Sequence, residues 1–172
     1  MPLFNNPKKA TYGIVIFILL FVASLIYSNL VRGAELDFAY GRTVIRGQTD
    51  VLALTAVWPK SIGPADAYLG MVLVGTYTLA PSQPGWLCSV CVGKNQVFVR
   101  MGVTSHIKRV GFTLGVAAKQ HDDVLNTGNI TFNLGLDYRL FEHVRVSYIH
   151  FSNAGTESPN IGRDMVTVGW RF

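Results

Sequence analysis

Val144-Arg-Val-Ser-Tyr-Ile-His-Phe-Ser152, followed after eleven intervening residues by Asp164-Met-Val-Thr-Val-Gly-Trp-Arg-Phe172, decides the fold. Both runs alternate with a period of two, the signature of a strand rather than a helix. On the first, Val144, Val146, Tyr148, His150 and Ser152 share one face, and Arg145, Ser147, Ile149 and Phe151 the other. On the second, Asp164, Val166, Val168, Trp170 and Phe172 share a face against Met165, Thr167, Gly169 and Arg171. A largely apolar face that ends in a His, a Ser and an Asp is an odd thing to build for packing alone.

Upstream, the same alternation recurs six times. The stretches are 35–41, about 51–58, about 67–79, 97–104, 110–117 and 130–140. The stretch at 51–58 is apolar on both faces; those from 110 onward are the cleanest. Eight alternating segments fit either a soluble sandwich or a closed barrel. The polar faces are rich in Gly and Thr with sparse charges of both signs, which suits a crowded barrel interior. The apolar faces end in Tyr40, Trp58, Tyr77, Tyr138, Tyr148, Trp170 and Phe172, as an interfacial girdle does. The chain is 49% hydrophobic yet has a single run long enough for a transmembrane helix. The apolar excess is therefore spread over strands. The expected fold is all-β: an eight-stranded antiparallel transmembrane β-barrel of the outer membrane, preceded by an N-terminal signal segment. Such a barrel encloses room only for side chains, so a diffusive pore is not expected. Arg100, Asp137, Arg139 and Arg145 are expected to pair inside it as a polar plug.

Residues 1–33 have the layout of a secretory signal: Lys8 and Lys9, an uncharged run from Tyr12 to Tyr27, and small residues at Val31 and Gly33 before Ala34. The run is long for a signal, so an uncleaved anchor is the alternative. Residues 34–172 form the barrel. The net charge of +5 is partly local to the leader, which carries three of the 15 cations and no acid. The barrel region has 12 Lys and Arg against 10 Asp and Glu, which makes no case for nucleic acid. Cys88 and Cys91 form a C-x-x-C pair. Two cysteines cannot complete a four-ligand zinc site, and no βαβ pattern surrounds them, so a local disulfide or two free thiols is the simpler reading.

With both termini periplasmic, the connections near 42–50, 80–95, 119–129 and 153–163 lie outside. Those near 59–66, 105–108 and 141–143 lie inside. Long outer and short inner connections are the expected asymmetry. His150, Ser152 and Asp164 then fall at the outer rim, facing lipid. A serine needs a base to take its proton, and the base needs an acid to orient it. A His-x-Ser at a strand end is by itself ordinary rim polarity. The shared facing, the place at the acyl-chain boundary and the Gly-containing loop after Ser152 together favour a hydrolytic site. Elsewhere, His121-Asp122-Asp123 is a candidate for a cation or a lipid phosphate, with a solvated loop as the simpler reading. Arg42, Arg46, Lys94, Lys119 and Arg163 are candidates for lipid phosphates, with solvated rim charge as the simpler reading. His106 and His143 fall at inner turns and receive no role.

His150-Phe-Ser-Asn-Ala-Gly155, then Pro159-Asn160, Gly162 and an acid at Asp164, resembles the lipid A 3-O-deacylase (PagL) family over the last quarter of the chain. The resemblance implies an eight-stranded outer-membrane barrel of a Gram-negative bacterium. It implies a His–Ser–Glu triad at the outer leaflet that removes the acyl chain at position 3 of lipid A, without metal or cofactor. Ser152 then becomes the nucleophile, His150 the general base and Asp164 the orienting acid. Asn153, Ala154 and Gly155 supply oxyanion contacts. Asp164 stands where the family has Glu, one methylene longer, and Glu157 in the loop is the substitute acid. The partners implied are lipopolysaccharide and outer-membrane lipid; a homodimer is one possible state. Two other readings stay open: a non-enzymatic adhesion or structural barrel, and a phospholipase or acyltransferase using the same site.

Overall fold

The computed structural model describes residues 33–44, 48–79, 91–120, 128–153 and 162–172. The signal or anchor at 1–33, all but Gly33, lies outside the described residues. So do Arg46, Cys88, His121, Asp122, Asp123, Ala154, Gly155, Glu157, Pro159 and Asn160.

Ten strands are described: β1 (Glu35–Thr43), β2 (Asp50–Ile62), β3 (Ala65–Val74), β4 (Tyr77–Leu79), β5 (Cys91–Gly93), β6 (Gln96–Ile107), β7 (Val110–Lys119), β8 (Ile130–Arg139), β9 (Val144–Ser152) and β10 (Arg163–Arg171). Eight of them close into an antiparallel barrel in the order β1-β10-β9-β8-β7-β6-β3-β2. β4 and β5 form a separate two-stranded hairpin. Closure leaves the barrel with no unpaired strand edge. The expected eight-stranded barrel is therefore the observed fold.

The alternation sets the two faces as the sequence predicts. Leu114 is 58% exposed, Leu134 53%, Val168 54% and Trp170 48%, and all point outward. Their inward neighbours Gly115, Asn133, Thr167 and Gly169 are half-buried or buried. An apolar surface this continuous has no counterpart on a soluble monomer, which rarely exposes more than a few hundred Å² in one patch. It suits a lipid surround and rules against the sandwich reading.

Three strand boundaries depart from expectation, one of them β6, which runs past Thr104 to Ile107. The segment 59–66 is not a loop: β2 runs on to Ile62, and only Gly63 and Pro64 separate it from β3. Pro59 is tolerated because the pairing slips between Trp58 and Ile62, where Lys60 takes φ of 51°. Side chains replace the lost ladder bonds there. The Lys60 amide donates to Asp66 Oδ1 (3.0 Å) and the Ala67 amide to Ser61 Oγ (2.9 Å). The stretch at 67–79 is likewise not one strand, since β3 stops at Val74 and Tyr77–Leu79 pairs with Cys91–Gly93 outside the barrel.

The interior divides into two halves. Toward the end that carries Ser152 an apolar layer is buried, with Val51, Val72, Val74, Phe98, Ala117, Ile149, Phe151 and Met165 together, and buried polar side chains at the strand ends, among them Gln96, Lys119, Thr131 and Arg163, lie beyond it. Phe98 and Phe151 stack at 4.6 Å between centroids. The ion-paired plug occupies the other half. There Arg145 pairs with Asp37, and Arg171 with Glu35 at 3.1 Å. Arg100 donates to Thr55 Oγ1 at 3.1 Å and lies over the Tyr68 ring at 5.2 Å. His106 is inside rather than at a turn, 3.4 Å from Asp66 and 3.7 Å from Asp137. Arg139 is exposed and takes no part in a described ion pair with these groups. The plug is thus built mainly with Asp37, Glu35, Asp66 and Arg171, which the alternation places inward but which the sequence reading did not single out. The space left within it is about 50 Å³, and a second cavity of about 310 Å³ opens beside Arg139 and Phe172.

One contact ties the two halves. The Tyr68 hydroxyl donates to Asn133 Oδ1 at 2.6 Å, from β3 to β8 across the bore. It passes over Gly102 and Gly115, which pair on β6 and β7, and a Cβ at either would strike that hydroxyl. Removing the hydroxyl leaves a buried amide oxygen unsatisfied. Tyr68→Phe is therefore expected to lower barrel stability by about 1–3 kcal/mol. Gly115→Val is expected to lower it further, because the neighbouring carbonyl of Met101 is also struck. Urea titration of the protein folded into lipid vesicles measures both.

Candidate active site

Position on β9 is fixed from inside. Ile149 and Phe151 point into the apolar layer, 5% and 0% exposed, so Tyr148, His150 and Ser152 must point out. On β10, Arg163 and Met165 are buried, so Asp164 between them also points out. The β9–β10 register then sets Asp164 directly opposite His150. Directly opposed side chains leave backbones only about 4.5–5.5 Å apart at Cβ, which is within reach of a carboxylate and an imidazole.

The contact is made. His150 Nδ1 lies 2.8 Å from Asp164 Oδ1, with the His side chain 31% and the Asp side chain 11% exposed. A carboxylate on Nδ1 holds the proton there and leaves the Nε2 lone pair to act as base. Ser152 follows His150 on the same face, half-buried, opposite Phe132 of β8. All three predicted catalytic side chains therefore share one outward face at one end of the barrel. Asn153 is buried directly after Ser152; Ala154, Gly155 and the substitute acid Glu157 lie outside the described residues.

Two residues complete the site that the sequence reading did not assign to it. Gly162 has φ of +77°, and its backbone packs on the imidazole: a Cβ there would sit 2.6 Å from His150 Cε1 and 3.1 Å from Nε2. Its place in the Pro-Asn-x-Gly run was visible, but its contact depends on the chain's return path. Tyr148, read as a girdle aromatic, donates its hydroxyl to Asp164 Oδ1, the oxygen that His150 uses. Its shared facing with His150 was the available signal. Beside the site, Phe132 and Leu134 of β8 are 43% and 53% exposed and pair with Ser152 and His150. They offer an apolar bed for an alkyl chain.

Among the phosphate candidates, Arg42 lies on the outward face of β1 and pairs with Asp50 at 3.3 Å. Lys119 and Arg163 point inward and are buried, 6% and 2% exposed, so neither is rim charge. Both residues stand at strand ends whose parity faces the bore. Lys94 is exposed at the hairpin.

The family described as lipid A 3-O-deacylase (PagL) matches residues 93–172. No curated protein matches the chain. Among solved structures, the crystal structure of the outer membrane enzyme PagL is 20% identical, with a TM-score of 0.53. The alignment covers 80% of this chain and 98% of that one. The Yersinia pestis outer membrane protein Ail, in a phospholipid bilayer nanodisc, is 11% identical over 81% of this chain and 99% of that one, at a TM-score of 0.47. The first is a likeness of fold, and the second is looser still. The matched residues take in β6 to β10 whole, and with them His150, Ser152, Gly162 and Asp164. The likeness to the lipid A 3-O-deacylase (PagL) family thus covers residues 93–172, the part of the barrel that carries the site.

Proposed function

We propose that the chain is an outer-membrane serine esterase that hydrolyses the 3-O-linked acyl chain of lipid A from the outer leaflet. The observation that carries this reading is the 2.8 Å contact between His150 Nδ1 and Asp164 Oδ1 on the outward, lipid-facing side, two residues from Ser152. The family match supports the substrate class.

Ser152 Oγ attacks the ester carbonyl as His150 Nε2 takes its proton. Asp164 stabilises the imidazolium that forms and does not itself become protonated. The oxyanion is met by backbone amides after Ser152, at Asn153, Ala154 and Gly155. The tetrahedral intermediate then collapses, and the His150 imidazolium gives its proton to the departing sugar oxygen as the acyl C–O bond breaks. A water, deprotonated by the same Nε2, hydrolyses the acyl-enzyme and releases the fatty acid. The acyl chain lies along Phe132 and Leu134, whose outward side chains continue the apolar exterior. A substrate that is itself a membrane lipid reaches such a site by lateral diffusion, so no pocket into the bore is needed.

Lipid A from cells expressing the wild type is expected to lose one acyl chain by mass spectrometry, and lipid A from cells expressing Ser152→Ala to keep it. Equal spectra from the two overturn the hydrolase reading and leave an adhesion or structural barrel. Release from phospholipid instead, or transfer to a new acceptor, assigns the same serine to a phospholipase or an acyltransferase.

Gly162→Ala should fold and yet lose activity. Its Cβ would press on the imidazole from the Nε2 side, and a displacement of order 1 Å in a catalytic group can cost about 100-fold in rate. The positive φ adds about 1 kcal/mol of backbone strain, small beside the stability of a closed barrel. Comparing the acyl release rate with the folded fraction on unboiled gels separates the two effects. A Gly162→Ala enzyme as fast as wild type would show that the ring is not held there.

A further inference from the structure

Within the esterase reading, we infer that Tyr148 is a positioning residue, a hydroxyl strut that lets the short Asp164 do the work of a longer acid. The inference rests on that reading and goes beyond it.

Asp164 is on the outward face with its side chain 11% exposed, so neighbouring side chains decide how its carboxylate is held. Two contacts meet the same oxygen, Oδ1: His150 Nδ1 at 2.8 Å and the Tyr148 hydroxyl. Tyr148 reaches it diagonally, since its own cross-strand partner is Val166, one outward position along β10 from Asp164. Diagonal neighbours on one face are about 7–8 Å apart at Cα, a span that a tyrosine covers and most side chains do not. A donor on Oδ1 fixes the carboxylate's rotation about its Cβ–Cγ bond. That in turn fixes the line along which Nδ1 is held, and so where Nε2 points. A carboxylate one methylene longer reaches His150 with its own geometry and needs no such brace. Tyr148 touches neither the serine nor the scissile ester, so it acts through Asp164.

The inference predicts a coupling between Tyr148 and the length of the acid. The full chain in lipid vesicles containing lipid A is assayed in two ways. One is acyl release. The other is the labelling rate of Ser152 by a fluorophosphonate, which needs no lipid substrate. Tyr148→Phe keeps the ring and removes the hydroxyl. It is expected to lower both rates roughly 10-fold or more, the usual worth of a hydrogen bond to a charged group, with KM unchanged. In an Asp164→Glu background the same substitution is expected to change either rate by less than about 2-fold, since a brace that is not needed costs nothing to remove.

Tyr148→Leu, equally apolar and lacking the hydroxyl, gives a second reading should Tyr148→Phe fold poorly. Three results overturn the inference: wild-type rates in Tyr148→Phe, an equal loss with Glu at 164, or a rise in KM at constant kcat, which would make the ring a lipid contact. A wild type that is neither labelled nor active removes the esterase reading itself and the inference with it. An active wild type beside an unaffected Tyr148→Phe removes the inference alone.

Discussion

Everything at the site depends on where Phe151 goes. It lies between His150 and Ser152, it is fully buried, and it stacks on Phe98 across the bore. A strand cannot turn one side chain inward without turning both neighbours outward. Burying a phenylalanine is worth about 1.5–3 kcal/mol, so a one-residue slip of β9 would lose that and place two polar groups in the apolar layer. The catalytic facing is thus enforced by hydrophobic packing on the opposite side of the strand. Met165 does the same for Asp164 from β10, since it is also fully buried.

The division of the bore serves this arrangement. A membrane barrel commonly fills its interior with polar groups. Here that holds for the half away from the site, where Asp37, Arg145, Glu35, Arg171, Asp66 and His106 pair. Directly behind the site lies an apolar layer around Phe98, Phe151 and Met165, and close packing of this kind resists small displacements. Triad geometry tolerates errors of only about 0.5 Å. Rigid packing behind an exposed site substitutes for the pocket walls that a buried active site would have.

Much of this was legible in the sequence. The period of two in 144–152 and 164–172 put His150, Ser152 and Asp164 on one face. The aromatic ends and the Gly- and Thr-rich opposite faces chose a barrel over a sandwich. What alternation does not carry is register, because it repeats identically at every second residue. The direct pairing of Asp164 with His150 is a register fact, and so is the diagonal reach of Tyr148. For the same reason β2 was cut short at Pro59: a proline argues against a strand unless a bulge absorbs it, and the bulge is set by Asp66 and Ser61 on the chain's return. His106 was set aside because its strand seemed to end at Thr104. Two more paired residues bring it inside, to Asp66 and Asp137.

In the proposed mechanism, a triad on the outside of a barrel changes the electrostatics of the reaction. An ion pair forming in water gains about 1 kcal/mol at 4 Å, and several times that where the effective dielectric constant is near 20. The His150–Asp164 pair becomes an ion pair only as the serine is attacked. Before that, a charged carboxylate in the same mechanism stands at a lipid boundary, where an unpaired charge is costly. Two donors on one oxygen reduce that cost in the resting enzyme, and one of them, Tyr148, does not change its charge during the reaction. An acid that is short and braced therefore exchanges reach for a carboxylate already solvated by the protein. On an exterior face, the phenol hydroxyl one diagonal step along the strand is a donor within reach of that carboxylate.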